Sequence, residues 1–208
     1  MSLPTLIILW VIYCTLHSGL IAVSTSRVMR RLLGERFRWY RLGYNVFSLI
    51  TVVPLLFATS KVPGDPVFAW EGWLRVPQYL LLALAVLIFV AGGRGYDLSR
   101  FAGIDHLLRS KADATPPSNA PVLSAGLHGL IRHPWYTGVF IFIWAHDMNT
   151  TTLAVNIVLS GYIVIGTLLE EHKLVLEFGQ VYRDYRQQVS MFVPWKWLMS
   201  SLKPKHSC

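Results

Sequence analysis

Charged residues are scarce in this chain. Only 14% of its 208 residues are Asp, Glu, Lys or Arg, against roughly 25% in soluble domains. Hydrophobic residues make up 53%, and the mean hydropathy is +0.45. That deficit excludes an ordinary soluble domain and points to a membrane. Acidic residues are scarcer than basic ones, 11 against 19, for a formal net charge of +8. The two cysteines are Cys14, inside an apolar stretch, and the terminal Cys208, so no disulfide framework is implied. There is no internal repeat and no Gly-x-Gly-x-x-Gly fingerprint, which removes solenoids and a Rossmann domain. The seven histidines are scattered, and His128 with His133 has no accompanying ligands, so no metal site is expected.

What the chain has instead is long apolar runs. About 20 mostly apolar residues are needed to cross the hydrocarbon core of a bilayer. Leu3 to Val23, Leu42 to Thr59, Gln78 to Gly93, Pro134 to Met148 and Leu153 to Leu169 qualify, the fourth being short enough to be tilted or partly buried. Ala22-Val23-Ser24 loosely imitates a signal-peptidase site. The first run, however, has no basic leader and carries His17 deep inside, so it reads as a retained span. The expectation is an all-α, integral-membrane bundle of about five transmembrane helices, with an amphipathic cytoplasmic helix at the C-terminal end. One domain covers 1–208: N-terminal spans and a polar, helical stretch over 1–111, a Pro/Ser/Ala-rich loop over 112–125, and a hairpin with its C-terminal helix over 126–197.

The net charge would suggest nucleic acid only if it clustered on a soluble face, and here it sorts by loop. All of the 19 basic residues except Lys61 and Arg75 fall in the first loop, the third loop or the tail after Glu171. The positive-inside rule makes those three segments cytoplasmic. Asn149-Thr150-Thr151-Thr152 reads as a tight outer turn. It contains a glycosylation sequon, but one too close to the membrane for modification.

Several residues at these boundaries carry chemistry. In Arg132-His133-Pro134-Trp135-Tyr136-Thr137-Gly138 the proline suits the first helical position and forces His133 out of helical geometry. His133 therefore caps the helix with its imidazole free to meet a ligand, beside the fixed charge of Arg132. A plain interfacial cap is the alternative. Glu170-Glu171 sits at a membrane exit, where adjacent carboxylates are costly unless they meet cations or water. The alternative there is a solvated helix end with Lys173 nearby. Beyond it, Leu174, Phe178, Val181, Tyr182 and Tyr185 recur at helical spacing. His17 is a buried ionisable group and a functional candidate by default. A hydrogen bond between helices, for example to Asn45, is the ordinary reading.

Taken in order, Arg132-His133-Pro134-x-Tyr136, Glu170-Glu171 and Phe178-Gly179-x-x-Tyr182-x-x-Tyr185, with Val189 and Phe192-Val193-Pro194 behind them, resemble the integral-membrane methyltransferases typified by isoprenylcysteine carboxyl methyltransferase and the phospholipid N-methyltransferases. The resemblance covers roughly Gly126 to Pro194. Shorter N-terminal motifs are similar to a bacterial branch that includes NnrU-type proteins and methanethiol S-methyltransferases. These are Cys14-Thr15-Leu16-His17-Ser18, Arg41-Leu42-Gly43-Tyr44-Asn45 and Gly95-Tyr96-Asp97-Leu98-Ser99.

That resemblance implies S-adenosyl-L-methionine as cofactor, bound by Arg132, His133, Tyr136, Glu170, Tyr182 and Tyr185. It implies His17, Glu170 and Glu171 as catalytic candidates, a site on the cytoplasmic face of a bacterial inner membrane, and a small or lipophilic methyl acceptor reached from the lipid bilayer, with no nucleic acid partner. Two departures separate the chain from the protein-carboxyl branch: Gln188 stands where a basic residue precedes the valine, and Gly126-Leu127-His128 replaces Gly-Pro-Tyr. A buried carboxylate substrate needs a cation that Gln188 does not supply, so a thiol is the expected acceptor. Carboxyl or amine methylation of a lipid-like substrate is the alternative. So is a non-enzymatic NnrU-type protein of nitrogen-oxide metabolism, or a haem module on His17 and His146. Sterol reductases share the architecture but are longer.

Overall fold

A computed structural model of the chain describes residues 1–93, 103–104 and 126–202. The helical stretch after Arg94, the motif Gly95 to Ser99 and the loop 112–125 lie outside the described residues. Among the described residues, four helices are long and apolar enough to cross a membrane: Leu3–Ile21, Val23–Lys61, Gly72–Gly93 and Thr150–Phe178. The chain is therefore a multi-pass integral membrane protein.

The described residues fall into two compact units. The first holds α1 (Leu3–Ile21), α2 (Val23–Leu33), a 3-10 turn (Gly34–Trp39), α3 (Tyr40–Lys61) and the start of a later helix. Ser2 caps α1 through its side chain, with Pro4 in the first turn. Leu6, Trp10, Leu55, Val62 and Val155 form its core. Trp10 is 1% exposed and donates its indole N–H to Thr59 Oγ1 at 3.0 Å, satisfying its one polar atom.

A short antiparallel ribbon completes this unit. β1 (Pro66–Phe68) pairs with β2 (Met148–Asn149), Pro66 opposite Asn149. The expected outer turn at Asn149 is instead a strand running into a helix start. Asn149 Oδ1 accepts from the Thr152 N–H at 2.8 Å, an N-cap for the helix beginning at Thr150. Gly64 makes this junction possible, since a Cβ there would lie 2.7 Å from Thr150 Oγ1 and 2.9 Å from Thr151 N.

The second unit holds α4 (Arg75–Gly93), α5 (Pro134–Trp144), the later part of α6 (Thr150–Phe178), α7 (Gln180–Gln188) and α8 (Trp195–Leu202). α5, expected as the fourth span, has 11 residues, about 16 Å at 1.5 Å per residue, against roughly 30 Å of hydrocarbon. It ends because Ala145 leaves helical geometry and its carbonyl accepts from the buried Gln78 side chain at 3.1 Å. α5 packs closely on α4: a Cβ on Gly92 would lie 2.8 Å from the Trp135 ring. α6 runs unbroken past Glu170 and Glu171 to Phe178, so the glutamates lie within a helix rather than at its end. Gly179, at φ +58, supplies the left-handed residue that separates α6 from α7. Tyr182, Tyr185 and Val189 then pack beneath Leu174, Val175 and Phe178.

Candidate active site

The second unit brings five of the expected residues together: Arg132, His133, Tyr136, Glu170 and Glu171. His133 caps α5 with φ −122 and ψ 67, as the following proline requires. Its backbone and that of Arg132 are pinned to the chain beyond α7. The Arg132 N–H donates to the Ser190 carbonyl at 2.8 Å, and the His133 N–H to the Met191 carbonyl at 3.1 Å. Thr137 adds a second tie, its hydroxyl lying 3.1 Å from the His133 carbonyl and 3.0 Å from the Phe192 carbonyl. The start of α5 is thus held from both sequence ends of the site.

Glu171 lies at the centre. It is 1% exposed. Arg132 Nε donates to its Oε1 at 2.6 Å, His133 Nε2 lies 3.2 Å from the same oxygen, and Arg186 Nε lies 3.1 Å from Oε2. Arg132 also donates through Nη1 to the carbonyls of Arg186 and Val189. The carboxylate therefore joins α5, α6 and α7, and a solvated helix end does not describe it.

Glu170 differs although it is the adjacent residue. Its side chain is 42% exposed, and its Oε2 lies 3.9 Å from His133 Nδ1. That oxygen is itself buried and has no hydrogen-bond donor among the described residues. The Tyr136 ring stacks on the His133 imidazole, with centroids 5.6 Å apart and planes 24° apart. The imidazole, expected to be free for a ligand, is engaged by Glu171 at Nε2 and by Tyr136 on one face, while its Nδ1 stands 3.9 Å from Glu170 Oε2.

Tyr182 and Tyr185 come to the same unit but as core. They are 2% and 9% exposed, with ring centroids 5.7 Å apart. The Tyr185 hydroxyl donates to the His128 carbonyl at 2.7 Å. Burial first, and the Glu171 carboxylate second, push the Tyr182 phenol well above its usual range, so it stays protonated. Burial, and then His133, lower the His128 imidazole.

His17 belongs to the first unit. Its ring lies between the Tyr44 hydroxyl, 2.7 Å from Nε2, and the Ser48 hydroxyl, 3.1 Å from Nδ1. Tyr13 and Tyr162 flank it, and Ser18 donates to the Tyr162 hydroxyl at 3.3 Å. Both hydrogen-bonding neighbours lie on α3, one residue before and three after Asn45. His146, the other histidine of the haem reading, lies just beyond α5 with Nδ1 2.8 Å from the Phe142 carbonyl of that helix.

Arg186 was not among the expected site residues. The signal was available: it follows the buried Tyr182 by four positions and so shares its helix face. Phe192, whose ring centroid is 6.3 Å from that of His133, was noticed only as part of a motif.

The fit to the expected cofactor is then a matter of donor chemistry. A ligand with an ammonium, a carboxylate and a sulfonium needs an unpaired carboxylate, a cation and an aromatic face. Glu170 Oε2, Arg132 and Tyr136 offer these within one unit, and the residues fit.

Comparison with known proteins places these features. The NnrU protein family model matches residues 5–190. A methanethiol S-methyltransferase of a Pseudomonas species is 33% identical over 196 residues, 90% of this chain and 71% of that protein. The Mycobacterium tuberculosis methanethiol S-methyltransferase is 40% identical over 70 residues, 33% of this chain and 29% of that one. The protein-S-isoprenylcysteine O-methyltransferase of Schizosaccharomyces pombe is 25% identical over 209 residues, 89% of this chain and 86% of that one. No solved structure matches.

Proposed function

This chain belongs to the NnrU family, and we propose that it is an integral-membrane methyltransferase that uses S-adenosylmethionine to methylate a small or lipophilic thiol. The observation that carries the reading is the buried Oε2 of Glu170, without a donor among the described residues, beside the Arg132–His133–Glu171 cluster. It occurs in a chain related over 90% of its length to a methanethiol S-methyltransferase.

The bound cofactor would supply an electrophilic sulfonium methyl. Glu170 would take the α-ammonium, because its Oε2 is buried without a hydrogen-bond donor among the described residues and, unlike Glu171, it is not held by an arginine. Glu171 is already committed to Arg132, His133 and Arg186 and acts as a positioning residue. It holds Arg132 as a fixed cation near the carboxylate end of the ligand. Tyr136 is the aromatic wall. Tyr182 and Tyr185 act from below, by fixing α7 under the site. A thiol must lose its proton before its sulfur attacks, and His17 is the group proposed to take it, with Tyr44 and Ser48 orienting the ring. Much of the rate would come from alignment, worth roughly 7–11 kcal/mol at its upper limit. The site faces the cytoplasm of a bacterial inner membrane, on the distribution of basic loops.

The test is calorimetric titration of the full chain in detergent with S-adenosylhomocysteine, followed by a methyl-transfer assay on an alkyl thiol, a fatty amine and a farnesylcysteine analogue. Saturable cofactor binding and turnover of the thiol alone are expected. Turnover of the farnesylcysteine without the thiol would move the chain to carboxyl methylation.

A further inference from the structure

The second unit holds a pocket that shares Arg132 and Arg186 with the proposed cofactor site but adds two cations, Arg183 and Lys196, that the proposed chemistry does not use. Its volume is about 550 Å³, and Arg132, Arg183, Arg186 and Lys196 line it together with Ser190 and Trp195. Among the described lining residues there is no carboxylate. Glu171, behind the wall, meets Arg132 and Arg186, but neither Arg183 nor Lys196 is in an ion pair with a carboxylate among the described residues. Asp184, the acid nearest in sequence to Arg183, accepts instead from Gln180 at 2.7 Å.

The four cations do not cancel and are held in place. Lys196 Nζ donates to the Arg186 and Gln187 carbonyls at 2.6 and 3.0 Å, leaving one of its three N–H bonds for a ligand. Arg183 has one long contact, 3.4 Å to Gln180 Oε1, and keeps the rest of its guanidinium edge. Ser190 Oγ is drawn back by the Lys196 N–H at 3.0 Å, which fixes the lysine's base. Partial burial first, then the neighbouring Arg132 and Arg186 charges, lower the Lys196 ammonium although Glu171 opposes them, so the single carboxylate behind the wall does not offset the cations.

We propose that this pocket binds a phosphate group, carried either by an anionic lipid headgroup or by a free phosphate ion. Tetrahedral oxygens accept from several directions at once, as converging guanidinium and ammonium donors require, whereas a carboxylate offers two oxygens in one plane. The cofactor's carboxylate would meet Arg132 at the edge of this pocket, but its ammonium and sulfonium are both positive and do not suit Arg183, Arg186 and Lys196. The lipid source is chemically reasonable because α8 borders the pocket and exposes Trp195, Trp197, Leu198, Met199 and Leu202, an interfacial set that belongs at the headgroup level. The proposal does not depend on the methyltransferase reading.

The test uses the full chain in a neutral detergent, with intact-complex mass spectrometry after addition of phosphatidylglycerol or phosphatidylcholine, and a parallel titration with radiolabelled inorganic phosphate. Retention of phosphatidylglycerol but not phosphatidylcholine is expected, with binding roughly tenfold weaker in the Arg183→Gln/Lys196→Gln double variant, as loss of charge-assisted hydrogen bonds implies. Arg183→Gln alone, at an exposed position that supports no backbone carbonyl, should weaken it in the same direction with unchanged thermal stability. Arg75→Gln, a cation removed elsewhere, should leave it intact. Binding of inorganic phosphate without lipid selectivity, with the same losses, keeps the site and assigns it to a soluble phosphate. Equal retention of both lipids with no phosphate binding, or affinities unchanged in both Arg183 variants, overturns the proposal. So does displacement of the phosphate probe by S-adenosylhomocysteine. An unchanged S-adenosylhomocysteine affinity in the double variant is expected and separates this site from the cofactor's.

Discussion

Arg132 donates Nε to Glu171 Oε1 at 2.6 Å, and the two side chains are 6% and 2% exposed. A buried pair of this kind holds three segments in register, but removing one partner leaves an uncompensated charge. Glu171→Ala should therefore destabilise the chain by about 3–5 kcal/mol. Thermal unfolding followed by circular dichroism in detergent measures it. The Arg132→Met/Glu171→Leu double variant should recover much of that loss, since the buried Arg132 charge goes with its partner and the Arg186 left without an anion is 42% exposed. An equal or greater loss in the double variant would show that the pair's hydrogen bonds, rather than its charges, hold the site.

Glu170→Gln should separate binding from stability. Its side chain is 42% exposed and its Oε2 has no donor to lose, so unfolding should shift little. Affinity for S-adenosylhomocysteine should fall by about 1–3 kcal/mol, the cost of a charge-assisted hydrogen bond. Calorimetry showing wild-type affinity would take Glu170 out of the cofactor site.

His17→Ala and Tyr44→Phe address the base. With thiol saturating, His17→Ala should slow methyl transfer by about 100-fold or more, while S-adenosylhomocysteine affinity stays at the wild-type value. Tyr44→Phe, which removes the hydroxyl 2.7 Å from Nε2, should have a smaller effect in the same direction and change the pH profile of kcat. A normal rate for His17→Ala would leave His17 a packing residue.

Acid should weaken the second unit through His128. Burial and His133 lower its folded pKa below the usual value near 6.5, so the folded state binds fewer protons than the unfolded chain just below that pH. The neutral-imidazole stability is fully present above about 6.5 and is lost as pH falls toward the lowered value. His128→Gln should flatten the dependence of the unfolding midpoint between about pH 5 and 7. An unaltered slope would assign the acid sensitivity to another group.

Topology is testable directly. All basic residues except Lys61 and Arg75 lie in three segments expected on the cytoplasmic side. A cysteine at position 183 should resist a membrane-impermeant maleimide in intact cells and react in inverted vesicles. Labelling from outside would reverse the orientation.

Local composition placed the long helices, because a run of apolar side chains in a bilayer can satisfy its backbone only as a helix. It also marked Arg132, His133, Glu170 and Glu171, because ionisable groups at a membrane boundary are too costly to be incidental. It did not fix the end of α5: the hydropathy continues through Ala145, but the helix stops where the Gln78 side chain donates to the Ala145 carbonyl. It did not separate the two glutamates either. Neighbours on a helix point about 100° apart. One of these directions meets Arg132, His133 and Arg186 and is sealed from solvent; the other leaves a side chain 42% exposed whose ion-pair partner among the described residues is His133, at 3.9 Å. Which residue takes which direction depends on how α7 returns to α5 through Ser190 and Met191. That is a contact between segments almost 60 positions apart in the chain, and no periodicity within either segment encodes it.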